Sequence, residues 1–239
     1  MELYYSSWPE VESYLKSNNK IIIPVGSTEQ HGPTGAIGTD FLTAWSIAIE
    51  VGQRTNTMVG SPLTVGMALH HMDFPGTVSL KPSTFILYLK EVIASYVKHG
   101  FKNITFINGH GGNIAPITSA FSEYLDQDQI VHLALWNWWH HEDVRQYEEK
   151  HFADKNGFHA TCGEISVTQY CFPQSIPKNA DFPYFDTVKK SSWPLSPSQF
   201  RKTFPDGRMS SDPRLANAEH GKNLFEIIVQ TYAKEIIKS

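Results

Sequence analysis

Two short segments carry the residue types that hold metal ions. Residues 27–40, STEQHGPTGAIGTD, offer Glu29, His31 and Asp40, and residues 108–113, NGHGGN, offer His110. A mixture of imidazole and carboxylate suits Zn, Mn or Fe(II) and is too nitrogen-rich for a typical Ca or Mg site. Glu29 and His31 are two apart, as on an extended loop that presents alternate side chains, and Asp40 can reach back from a helix start. Taken singly, each residue has a plainer use: Glu29 as a solvated loop acid, Asp40 as a helix cap, His110 as a turn residue. The glycines around His110 weigh toward a site, because they let backbone and imidazole approach a ligand closely. Such a centre can supply hydrolytic chemistry, since a bound divalent ion lowers the pKa of water toward about 7 and polarises a carbonyl.

These residues need elements to bring them together. Residues 20–25, KIIIPV, predict a buried strand, and NITFI at 103–107 predicts another. Further strands are expected at 58–62 and 130–136. Helices are expected from residue 40 with Thr39 or Asp40 as cap, from Pro82 to a stop at Gly100, after NGHGGN to about Leu125, over 163–171 and over 215–237. Strands alternating with helices imply right-handed βαβ units and a largely parallel sheet. In such sheets ligands bind beyond the carboxyl ends of the strands, so Glu29, His31 and His110 can converge from far apart in sequence. Residues 137–158 are charged and aromatic without a clear pattern. Residues 181–213 read as a long irregular stretch covering a site or an interface.

With 239 residues, 41% of them hydrophobic, the chain is expected to form a single domain, 1–239, with a full core. A net charge of −4 without a long basic run excludes a nucleic-acid footprint. No apolar run approaches the roughly 20 residues of a membrane span, and the first residues lack a secretory pattern. Two cysteines, Cys162 and Cys171, give no disulfide framework, so a reduced, cytoplasmic protein is expected. Cys162 is not expected to be a nucleophile. NGHGGN is not the dinucleotide fingerprint. Of the neighbours His70 and His71, one is expected to line the pocket. His140 and His141 are expected to be exposed, and Trp136, Trp138 and Trp139 to form a pocket wall or an interface. Asn108 and Asn113 are candidates to orient the ligand imidazoles.

Several segments together resemble the creatininase (creatinine amidohydrolase) family: PVGSTEQHGPTGAIGTD at 24–40, HHMDFPGTVSL at 70–80, NGHGGN at 108–113, HATCGEISVT at 159–168 and SDPRLANAEHGKNL at 211–224. The resemblance implies an α/β fold, a three-layer α/β/α sandwich with a mainly parallel sheet. It implies a divalent-metal amidohydrolase acting on a small molecule. Zn is the first expectation, with Mn or Fe as alternatives, and one or two ions per chain. It assigns Glu29, His31, Asp40 and His110 as metal ligands with Asp40 bridging, His159 to proton transfer, and Glu164 to an acidic position that can also ligate. His71, Gly111 and Gly112 are expected to border the substrate. It also implies a homo-oligomer, a hexamer. Creatininase has a carboxylate two residues after the histidine of the third block, where this chain has Gly112. Creatinine is therefore not the expected substrate, and Glu164 is the candidate to replace that ligand. A true creatininase and a catalytically inactive protein of the same fold stay open as alternatives.

Overall fold

The computed structural model describes residues 1–126, 130–176 and 193–238. Its elements in chain order are α1 (Trp8–Leu15), β1 (Lys20–Val25), α2 (Thr39–Thr55), β2 (Met58–Val59), α3 (Pro82–His99), β3 (Asn103–Asn108), α4 (Ile114–Leu125), β4 (His132–Asn137), α5 (Glu142–His151), α6 (Cys162–Cys171), α7 (Pro197–Thr203) and α8 (Ala218–Lys238). The four strands form one sheet in the order β2-β1-β3-β4, and every pair is parallel. Successive side chains of a strand face opposite ways, so both central strands feed two cores. Ile21, Ile23, Ile104 and Phe106 pack with α1, α3 and α4. Ile22 and Ile107 pack with α2, α5, α6 and α8. The result is the expected three-layer α/β/α sandwich. Among the described residues, no helix is long and apolar enough to cross a membrane.

The chain leaves β1 through α2 toward one edge and leaves β3 through α4 toward the other. The two helices lie in opposite layers. The crevice beyond the ends of β1 and β3 is thus a topological switch point, where open α/β sheets bind their ligands. The loop with Glu29 and His31 follows β1, and the turn with His110 follows β3.

Several boundaries differ from expectation. Helix α2 starts at Thr39 with Gly38 as its cap, so neither Thr39 nor Asp40 caps it. Asp40 stands in the first turn instead, with its carboxylate free for other partners. The second strand shrinks to Met58–Val59 because Gly60 and Pro62 follow at once, and proline cannot donate to a ladder. β4 begins at His132 rather than at 130. The patternless 137–158 segment contains α5, whose inner face is only Val144 and Glu148. The last helix begins at Ala218, because Pro213–Leu215 forms a separate 3-10 turn. Within the expected irregular stretch, Pro197–Thr203 is helical, and residues up to 192 lie outside the described residues.

Glycine ends both central strands for a steric reason. A Cβ at Gly26 would run into the backbone of Phe41, and one at Gly109 into the carbonyl of Asp40. The first turn of α2 is therefore seated directly on the two strand ends. Gly109→Ala should cost about 1–3 kcal/mol through this overlap, a fall in melting temperature of about 2–12 °C. Gly111, whose Cβ would meet nothing within 4 Å, is the control, and Gly111→Ala should stay within about 0.5 kcal/mol of wild type. Equal melting temperatures for the two variants would refute this account.

Candidate metal centre

Two buried acids, Glu29 and Asp40, the partly buried Glu164 and three histidines meet at the switch point. Glu29, His31 and Asp40 are at most 2% exposed and His110 is 5% exposed. His31 Nε2 lies 2.9 Å from Asp40 Oδ1 and 3.9 Å from Glu164 Oε1. His110 Nδ1 lies 3.0 Å from Asp40 Oδ2, and its Nε2 lies 3.2 Å from Glu29 Oε2. Two sets of groups are close enough to share an ion: Glu29, Asp40 and His110, and His31, Asp40 and Glu164. Asp40 belongs to both. A third set, Glu29, His31 and His159, overlaps them.

The local folding explains each position. His31 Nδ1 lies 3.1 Å from the Glu29 carbonyl, which can only accept, so Nδ1 donates and Nε2 is turned to Asp40. His110 Nε2 lies 3.0 Å from the Met67 carbonyl, which leaves Nδ1 for Asp40. Glu164 sits at the third position of α6, in a capping box with Thr161. Asn108 and Asn113 were expected to orient the imidazoles. They brace the backbone instead: Asn108 accepts from the His110 amide and donates to its carbonyl, and Asn113 donates to the Gly26 carbonyl.

The electrostatics demand a cation. Burial opposes a charge on His31, but the Asp40 carboxylate outweighs it and lifts the imidazole to about 10. Burial likewise opposes His110, and Glu29 and Asp40 raise it well above the usual histidine range. Burial, with the charges of Asp40 and Glu29, raises Glu164 to about 7 against the pull of His31. Both oxygens of Glu29, His31 Nε2 and Asp40 Oδ2 are buried without an aligned hydrogen-bond partner. Buried polar atoms are nearly always satisfied, so this set of orphaned ligand atoms fits a metal ion.

The remaining expected residues fall into two groups. His159 and Gly111 line a cavity of about 540 Å³ together with Asp40, His110 and Glu164. His71 and Gly112 lie behind the ligands rather than in the cavity wall. His71 Nε2 faces Glu29 Oε1 at 3.3 Å. A Cβ at Gly112 would collide with His110 Nε2 and the Met67 carbonyl. His70 points away, stacks near Phe200 and Trp193, and is pushed down to about 3 by burial. Trp138 is neither pocket nor interface but fully buried core, while Trp139 lines the cavity. Exposed His140 also reaches the cavity rim. Burial lifts the Cys162 thiol to about 12, which leaves no thiolate for nucleophilic use.

Sequence patterns missed two residues. Gln30 lies between two ligands, yet its side chain is buried among histidines. Glu148 is buried in the cavity wall, and only its i, i+4 relation to the buried Val144 signals that it faces inward. Burial raises Glu148 to about 7, with Asn156 opposing. Between its ordinary pKa of 4.5 and about 7 the folded protein holds a proton that the unfolded chain has released. Stability should therefore fall as pH rises through that window. Glu148→Gln should remove this loss, so the variant should gain melting temperature over wild type at the upper end of the window but not below it. An equal gain at both ends would contradict the assignment.

A family model described as "Creatininase: Creatinine amidohydrolase" matches residues 4–236. A protein named 3-dehydro-scyllo-inosose hydrolase from Thermotoga maritima is 33% identical over 169 residues, 69% of this chain and 54% of that protein. The match thus spans about half the length of that relative. Creatinine amidohydrolase from Pseudomonas putida is 25% identical over 252 residues, 96% of this chain and 94% of that protein. A solved structure described as "Creatininase Mn" superposes with a TM-score of 0.82 at 23% identity, covering 99% of this chain and 97% of that one. This last likeness is one of fold.

Proposed function

Because this chain belongs to the creatininase family, we propose that it is a metal-dependent hydrolase of a small molecule, breaking a C–N bond in a cyclic amide or formamide-type substrate. The observation that carries the proposal is the pair of carboxylate–imidazole triads that share Asp40. Glu29, Asp40 and His110 would hold one divalent ion, and His31, Asp40 and Glu164 the other. Glu164 supplies the carboxylate that Gly112 cannot. Zn is the first candidate, and the Mn form of the solved relative supports Mn as well. When bound, the metal lowers the pKa of water toward about 7 and polarises the substrate carbonyl.

The protein's own residues do the rest. Burial of Glu29, His31, Asp40 and His110 strengthens the charge interactions among them. Water oxygen bonds to the carbonyl carbon, the C–N bond breaks with its electron pair on nitrogen, and a proton must travel from the water to that nitrogen. His159 stands at the cavity with its Nδ1 3.7 Å from Glu29 Oε1 and is suited to carry it. Burial, with His71 and His31 nearby, holds His159 well below the usual histidine range, so it rests neutral. The inosose hydrolase relative favours a second substrate reading, a ring of the kind in its name. Self-association is proposed too, since Trp8 is 76% and Tyr5 83% exposed on the N-terminal segment. Light scattering at micromolar concentration checks it, and a stable monomer refutes it.

Metal analysis tests the centre. Protein reloaded with Zn should hold about two equivalents, Glu164→Gln about one and Asp40→Asn almost none, because Asp40 serves both sites. His31 must give up a proton to bind, so apparent affinity should rise with pH, by up to about tenfold per unit for each proton displaced. Calorimetry in buffers of different ionisation enthalpy reads that release. Less than about a tenth of an equivalent after reloading would overturn the metal centre. A screen of lactams, cyclic ureides, formamides, creatinine and cyclic polyol ketones on loaded protein then separates the substrate readings. Creatinine turnover within the ordinary enzyme range of about 1–10³ per second would overturn the expectation drawn from Gly112.

A further inference from the structure

Gln30 sits between two metal-ligand candidates, yet its side chain turns away from both and into a nest of fixed acceptors. Its Oε1 accepts from the Gly32 amide at 2.8 Å, which fixes the orientation of the side-chain amide. Nε2 therefore faces His71 Nδ1 at 2.8 Å, His159 Nε2 at 2.9 Å and the Gly207 carbonyl at 3.0 Å. Three neighbours compete for two hydrogens. The Gly207 carbonyl can only accept, and it takes one. His159 Nε2 also lies 2.8 Å from the backbone carbonyl of Gln30, which again can only accept. His159 Nε2 therefore carries its own hydrogen and cannot take one from the amide. The second amide hydrogen goes to His71 Nδ1.

We propose that Gln30 is the positioning residue that sets the tautomers of both histidines beside Glu29. Its side chain keeps His71 unprotonated at Nδ1, so the hydrogen is carried on Nε2, the nitrogen that lies 3.3 Å from Glu29 Oε1. Its backbone carbonyl keeps the hydrogen of His159 on Nε2, so the lone pair on Nδ1 faces the site. His71 thereby presents a protonated nitrogen on the Glu29 side and is not a ligand. His159 offers Nδ1, not Nε2, as the atom that takes up a proton. Outer groups of this kind fix ligand orientation and basicity in metal centres. The lock closes from far along the chain. Gly207 is in the left-handed region with φ 89°, and a Cβ there would collide with Gln30 Oε1. Residues next to it pin His159, through the Met209 amide and the Ser211 hydroxyl, both donating to the His159 carbonyl.

The catalytic consequence rests on the hydrolase proposal, but the tautomers can be read on metal-free protein, so the two can fail separately. Long-range proton–nitrogen spectra of 15N-histidine-labelled protein, above about pH 8 where an ordinary imidazole is neutral, should show Nε2–H for both His71 and His159. Gln30→Glu keeps the shape but cannot donate. In that variant His71 should gain a hydrogen on Nδ1, while His159, held by the backbone, keeps its pattern. Zn affinity should fall by about 10–100-fold, the usual cost of losing such support. A native His71 or His159 protonated on Nδ1 alone would overturn the proposal, as would a Gln30→Glu spectrum identical to wild type. Should the variant fail to fold, the wild-type spectrum alone decides.

Discussion

The seating of the first turn of α2 on the ends of β1 and β3 governs the site. Gly26 and Gly109 leave no side chain between strand and helix, and the Asp40 backbone lies directly against Gly109. That contact delivers the Asp40 carboxylate to the one point within reach of both His31 and His110. Glu29 and Glu164 arrive around it on other segments, so three acids gather in a buried volume. Unscreened carboxylates repel strongly there. The imidazoles of His31 and His110 answer that repulsion by holding protons, and a metal ion would answer it better. The steric fit of two glycines thus creates an electrostatic demand that defines the chemistry.

Gly112 shows how the turn after β3 makes room for a histidine ring. Its missing Cβ is what allows the His110 ring to lie where it does, against the Met67 carbonyl. A carboxylate on that turn would compete with the ring for space. Glu164 approaches from α6 on the other wall of the cavity, held by the cap of its own helix. The opening of the cavity runs past α5 and Glu148. If the site acts as proposed, that wall is where selectivity between small molecules would be decided.

Much of this was legible in the sequence because it depends on local rules. β-branched runs ended by glycine mark β1 and β3, and metal-ligand residue types cluster just beyond them. The parallel order followed from alternation of elements. What escaped was decided by tertiary context. Thr39 and Asp40 have the chemistry of helix caps, but Gly38 took that role because Asp40 was needed inside. Asn108 and Asn113 have the reach to hold imidazoles, but the turn they stand on left its own backbone groups to satisfy first. Trp138 looked like a wall residue and proved to be core, since a 3-10 turn after β4 rotates it beneath α5 and α8. Gln30 was hidden because nothing in its neighbours in sequence announces partners 41, 129 and 177 residues away.

Those long separations also fix an order of events during synthesis. A chain emerging from the ribosome exposes residues 20–125 first, enough to build β1, β2 and β3 with their helices and to bring Glu29, His31, Asp40 and His110 together. His159, Glu164 and the Gly207 turn follow later, and only then can the histidines be oriented and the cavity walled. In synthesis, Glu29, His31, Asp40 and His110 thus precede the groups that orient His159. The Gly207 carbonyl, 177 residues after Gln30, is the last of the groups around that amide to be translated.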